Sequence, residues 1–167
     1  MIKTERLKIR PLSLSDDSFI LELLNSEGWI KYIGDRKIRT LEEAKSYIID
    51  IINKTSVQYN VIEKLNASIP IGILSFIKRD YLNFPDFGFA LLPKYYQNGF
   101  AKEASIGYLK DLFNKQPKLN IAAICKSNNE PSIKLLEKIG FNYKYDAEIE
   151  GDQLRVYDLI KENFMNV

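Results

Sequence analysis

Residues 86–104 read DFGFALLPKYYQNGFAKEA. The apolar run at 87–92 has the length and aromatic content of a buried strand. Pro93 stops it. A short polar turn over 94–98 follows, and Gly99-Phe100-Ala101 opens a helical pattern. Apolar residues recur at Phe100, Ala104, Tyr108 and Leu112, and at Ala101, Leu109 and Phe113, which is one face of a helix. A strand that passes through a glycine turn straight into a helix suits an anion. The first helical turn leaves backbone N–H groups without partners, and the aligned peptide dipoles add partial positive charge there. Gly99 and Ala101 keep side-chain bulk away from those N–H groups, which fits a pyrophosphate. A plain structural turn, with Gly99 serving only the chain reversal, explains the same local features equally well.

Outward from this stretch, the chain has the length of one domain, 1–167, with room for a real core. Hydrophobic residues make up 46% and charged residues 28%, the balance of a soluble globular protein. A net charge of +2 is too mild to argue for nucleic acid or an anionic membrane as partner. The single cysteine, Cys125, excludes an internal disulfide, and the absence of histidine argues against zinc and against any nucleophile paired with histidine. Acid–base work must then fall to carboxylates, tyrosines, serines, lysines, water or backbone. No apolar run is long enough to span a bilayer. The opening residues interleave charges and lack a signal-peptide core, so cytoplasmic residence is the expectation.

Residues 7–12 alternate as a first strand closed at Pro11. Ser15 is a candidate N-cap for a helix reaching about Leu24, with Asp16 and Asp17 in its first turn. Residues 26–39 are irregular. Thr40 and Glu43 have capping-box spacing and start a second helix through Ile52. Residues 58–64 and 70–78 read as a hairpin. After the Gly99 helix come a short buried strand at 120–125, a helix with Pro131 in its first turn and Gly140 as its stop, and two closing strands at 141–149 and 154–161. The order β-α-α-β-β-β-α-β-α-β-β mixes hairpins with crossover helices. It predicts an α/β (α+β) domain with a sheet of mixed direction.

PKYYQNGFAKEA resembles the acyl-CoA-binding signature of GNAT-family N-acetyltransferases, written Q/R-x-x-G-x-G/A, in the branch related to ribosomal-protein acetyltransferases. Tyr96 takes the first motif position, Gly99 the fourth and Ala101 the sixth. Tyr96 departs from Gln or Arg, though an aromatic is usual in that branch, and Gln97 replaces its usual second glycine. Asn129-Glu130-Pro131-Ser132 followed by LLEKIGF resembles the N-x-x-S-x-x-x-L-E-K-x-G-F segment of the same branch. The element order is also that of the GNAT fold, with its mostly antiparallel central sheet and helices on both faces.

That resemblance implies acetyl-CoA as cosubstrate, no metal, a monomer or homodimer, and direct attack of a primary amine on the thioester. The amine would belong to a protein N-terminus or a small molecule. Phe89, Ala90, Leu91 and Leu92 would offer main-chain bonds to pantetheine. Gln97, Asn98, Gly99, Phe100, Ala101 and Lys102 would hold the pyrophosphate, and Asn129 and Ser132 would face the pantetheine arm and thiol. Many relatives carry a tyrosine general acid where this chain has Leu136, so Ser132 or water must replace it. Asp86 is the candidate base; capping the Pro85 turn, or pairing with Arg79 or Lys78, is the structural alternative. Asn129 also suits a helix cap, and Ser132 an ordinary first-turn polar residue. Trp29, Tyr32, Asp35 and Arg36 lie in the segment that lines the acceptor cleft, although the aromatics suit a core and Asp35 a solvated loop. Cys125 reads as core. A non-catalytic CoA-binding or protein-interaction module on the same fold is the alternative function.

Overall fold

In the computed structural model, which describes residues 1–164, the strand of residues 86–91 lies inside one eight-stranded sheet. In chain order the strands are β1 (Ile2–Lys3), β2 (Leu7–Pro11), β3 (Val57–Lys64), β4 (Ile69–Ile77), β5 (Asp86–Leu91), β6 (Ile121–Lys126), β7 (Asn142–Ile149) and β8 (Asp152–Leu159). They lie side by side as β1-β2-β3-β4-β5-β6-β8-β7. Every neighbouring pair is antiparallel except β5 and β6. The helices are α1 (Asp17–Leu24), α2 (Glu27–Tyr32), α3 (Leu41–Asn53), α4 (Phe100–Lys115), α5 (Glu130–Lys138) and α6 (Lys161–Phe164). The expected alternation is present, with β1, α2 and α6 added. No helix among the described residues is long and apolar enough to cross a membrane.

Each face of the sheet carries its own core, because neighbouring strand residues point to opposite sides. Ile62 and Leu74 join Leu109 and Phe113 of α4 and Leu136 of α5, whereas Val61 and Ile73 join Phe19, Ile20, Trp29 and Ile48 of α1–α3. The central strands are therefore apolar on both faces, and their periodicity runs together in the sequence.

The predicted capping box at α3 is formed: Glu43 N–H donates to Thr40 Oγ1 at 3.2 Å, and Thr40 N–H donates to the Glu43 carboxylate at 3.0 Å. The start of α1 differs from expectation. Ser13, not Ser15, caps a 3-10 turn over Leu14–Asp16 that leads into α1, whose own N-cap is Asp16, and the Ser13 N–H and hydroxyl both donate to Asp16 Oδ2 at 2.9 Å. Asp16 is buried, and Arg10, six residues earlier on β2, grips it through two hydrogen bonds of 2.9 and 2.7 Å, so a partner on the strand before the helix chose the cap.

Candidate functional site

The one parallel pair is nearly unmade. β5 and β6 are in register only at Asp86 and Ala122, where Ala122 N–H donates to Pro85 O at 2.9 Å. The next rung of a parallel ladder would bring the Ile124 N–H to the Phe87 carbonyl. Instead that N–H goes to the Asp86 carboxylate, Oδ1, at 3.2 Å. A side chain thus ends the ladder, and the strands part beyond it. The root of the fork is fixed by Phe87, which stacks on Tyr108 of α4 at 6.1 Å and on Phe141 at 6.1 Å.

Hydrogen-bond alternation tells which main-chain groups face the gap. Leu92 N–H donates to Ile71 O on the β4 side at 2.8 Å. In an antiparallel pair every second residue bonds the same neighbour, so Leu92 and Ala90 are committed to β4. Phe89 and Leu91 turn their N–H and C=O groups to the gap that β6 has left. This corrects the expectation that all of 89–92 offer main-chain bonds. Ala90 and Leu92 contribute side chains to the α1–α3 core instead. Gly88 is in phase with Ala90 and Leu92 and pairs with Ser75 of β4; a Cβ there would stand 2.6 Å from Ser75 Oγ, so its absence keeps room beside that hydroxyl.

The gap leads to the turn before α4. Gln97 (φ 61°) and Gly99 (φ 76°) are both left-handed, a sequence of conformations that lets successive N–H groups converge on an anion. Gln97 therefore does adopt a glycine-like backbone where the related motif has glycine. The N–H groups of Gln97, Asn98, Gly99, Phe100, Ala101 and Lys102 donate to no group among the described residues. Gly99 is the N-cap of α4, and Lys102 is exposed in its first turn. Tyr96 points away from this cradle and rests its hydroxyl on Gly28 of α2, where any Cβ would collide with it.

Across the gap, Asn129 is the N-cap of α5, with Oδ1 accepting from Ser132 N–H at 3.3 Å. The capping reading of Asn129 is realised, and its amide Nδ2 donates to nothing among the described residues. Ser132 is half-buried in the first turn. Leu136 is in the core, 2% exposed, where the resemblance would have a tyrosine donor. Cys125 packs against the same core, and burial pushes its thiol up to about 11, away from nucleophilic use.

Asp86 is 4% exposed and accepts from Arg79 Nε at 2.7 Å. Its pairing with Arg79 is thus a fact of the structure. Burial raises its carboxyl to about 6, and the Arg79 charge and hydrogen bond with the Ile124 N–H hold it from going higher. That value sits where a carboxylate can exchange a proton near neutral pH.

On the α1–α3 face, the four acceptor-side candidates separate. Trp29 is 3% exposed and part of the core, so its ring packs rather than lines a cleft. Tyr32 is half-buried on α2. Asp35 is exposed but engaged, with Arg39 Nη2 at 2.6 Å and the Lys37 N–H at 2.8 Å. Arg36 is exposed and lies close enough to the buried Tyr59 phenol to oppose the upward push of burial on it. Tyr59 Oη meets Tyr47 Oη at 3.2 Å. Arg79 was legible as a partner for Asp86, whereas Ser75, Gly88 and Tyr59 escaped the sequence reading because only strand register places them, and Tyr47 because it meets Tyr59 from helix α3.

Comparison with known proteins fits this geometry. Residues 6–142 match the family described as acetyltransferase (GNAT) domain. The uncharacterized N-acetyltransferase YnaD of Bacillus subtilis (strain 168) is 28% identical over 139 residues, covering 83% of this chain and 81% of its own. The spermidine N-acetyltransferase of Vibrio cholerae, solved with CoA and spermine, superposes with a TM-score of 0.81 at 19% identity over 96% of this chain and 99% of that one. The ribosomal L7/L12 alpha-N-protein acetyltransferase RimL, solved with coenzyme A, gives 0.80 at 15% identity over 94% and 95%. At those identities the two structures show the same fold.

Proposed function

The chain belongs to the GNAT acetyltransferase family, and from that premise we propose that it transfers an acetyl group from acetyl-CoA directly to a primary amine. The observation that carries this reading is the continuous track from the fork of β5 and β6 to the Gly99 turn. Unpaired main-chain groups at Phe89 and Leu91 lead to six unclaimed N–H groups at an α-helix start. An extended pantetheine arm would add to β5 as a strand adds to a sheet edge, and a pyrophosphate would rest on the turn.

Acetyl-CoA, when bound, supplies the activated thioester. Phe89 N–H would hydrogen-bond its carbonyl oxygen as charge builds there. The fork would position the amine, and positioning is a large part of the rate in direct transfer. Asp86, directly or through water, takes the proton the amine must lose, and Ser132 or a water returns one to the departing sulfur. The acceptor is an amine of a protein N-terminus or a small molecule, and the cytoplasm is its place of work. The second reading, a non-catalytic CoA-binding module, draws on Leu136 filling the core at the donor position. Turnover of acetyl-CoA with amines separates the two.

Gly99→Asp tests the track. Aspartate tolerates the left-handed backbone better than most residues, so the fold should persist. Its carboxylate would stand in the anion cradle beside Arg6. Calorimetric titration should show acetyl-CoA binding by the wild type, lost at least 100-fold in the variant with an unchanged circular dichroism spectrum. Unchanged affinity would move the pyrophosphate elsewhere.

A further inference from the structure

Arg6 lies in the short link between β1 and β2, far from the turn in sequence, yet it is built into it. Its Nε donates to Glu103 Oε2 at 2.6 Å and its Nη1 to Asn98 O at 3.1 Å. Its guanidinium carbon sits 4.6 Å from the centre of the Phe100 ring. Its backbone N–H also donates to Glu103 Oε1 at 2.8 Å, and Thr4 Oγ1 donates to the same oxygen at 2.6 Å. Three contacts on one planar group leave it little freedom. They also leave one nitrogen over: Nη2 bonds nothing among the described residues. It lies 3.5 Å from where a Cβ on Gly99 would stand.

We propose that Arg6 is a phosphate-binding residue of this site, its Nη2 completing the anion cradle formed by the N–H groups of residues 97–102. The proposal rests on reading that turn as the pyrophosphate site. Guanidinium suits the role because its fixed fork can hold a carboxylate on one edge and a phosphate on the other. Glu103 is kept below the ordinary glutamate range by the hydrogen bonds from Thr4 and Arg6, which outweigh its burial, so it stays a carboxylate and keeps the fork aimed. Because that carboxylate cancels much of the arginine's long-range field, the benefit comes through directed hydrogen bonds. Gly99 acquires a second reason to be glycine: any side chain would lie against Nη2 and cover it.

The test is a set of titrations of wild type and Arg6→Gln with acetyl-CoA, dephospho-CoA and acetyl-pantetheine. Dephospho-CoA keeps the pyrophosphate and lacks the 3′-phosphate, and acetyl-pantetheine has no phosphate at all. The variant should bind the first two about 10-fold or more weakly and the third unchanged. Equal loss for all three ligands, or no loss for any, overturns the assignment. Loss for acetyl-CoA alone transfers Arg6 to the 3′-phosphate and overturns it too. A wild type that binds none of the three removes the underlying reading of the turn, a result distinct from these. Should Arg6→Gln fold poorly, Arg6→Lys keeps the charge without the fork and should show a smaller loss confined to the two pyrophosphate ligands.

Discussion

Two arginine–carboxylate pairs bracket the strand–turn–helix unit. Arg79–Asp86 closes at 2.7 Å at the root of β5, and Arg6–Glu103 at 2.6 Å in the first turns of α4. Their geometry is nearly the same and their carboxyl groups move in opposite directions. Glu103, with a side chain 17% exposed, accepts from Thr4, the Arg6 backbone and the Arg6 guanidinium, and is held below its ordinary range. Asp86, with a side chain 5% exposed, accepts from Arg79 and the Ile124 N–H, and desolvation lifts it to about 6. Donor count and burial decide between a fixed counter-ion and a group that can work as a proton carrier. An ion pair named by its residues alone says neither.

The strongest way to break this contrast is to remove Asp86. Asp86→Ala leaves Arg79 half-buried without its partner and the Ile124 N–H without an acceptor. The loss of stability should be about 3 kcal/mol, near the lower end for breaking a buried pair, since Arg79 can turn partly to water. Urea unfolding measures it. A loss below about 1 kcal/mol would mean that the fork does not depend on this carboxylate.

Titration sharpens the same contrast. Asp86 has its folded value above the unfolded 3.8, so its contribution is fully present below about 3.8 and lost as pH rises through about 6. Glu103 has its folded value below 4.5, so its contribution is present above 4.5 and lost as pH falls through the folded value. Between pH 4 and 6, therefore, the stability of wild type relative to Asp86→Asn should grow as pH falls. Relative to Glu103→Gln it should shrink only below about 4.5. If Asp86 carries the amine proton, turnover should rise with pH through about 6, and Asp86→Asn should lower turnover at neutral pH more than it weakens acetyl-CoA binding. Equal turnover would make Asp86 purely a strut of the fork.

What was legible in the sequence was local. The strand at 86–91, the left-handed turn at Gly99, the box at Thr40 and Glu43, and the cap at Asn129 all rest on neighbours within a few residues. Each was found close to its place. The fork was not legible, because it depends on Ile124 meeting a side chain 38 residues earlier in the chain. Arg6 was hidden for the same reason, 97 residues from Glu103. Trp29 shows the converse limit. The resemblance places it in the segment lining the acceptor cleft, with a core aromatic as the alternative, and the alternative is realised: Trp29 lies on the short helix α2, which turns it into the α1–α3 core.

The smallest expected effect belongs to the exposed pair. Glu103→Gln keeps the acceptor for Thr4 and the Arg6 backbone but removes the charge that aims the guanidinium. Because Arg6 is 46% exposed, water replaces much of what is lost, and the change in stability should stay near 1 kcal/mol or below. The functional consequence is separable from that number. With Nε no longer held, Nη2 would leave its place beside Gly99 part of the time, so acetyl-CoA affinity should fall a few-fold while acetyl-pantetheine affinity holds. A stability loss as large as that of Asp86→Ala would show Glu103 to be a buried anchor in energetic terms, and the contrast between the two pairs would collapse.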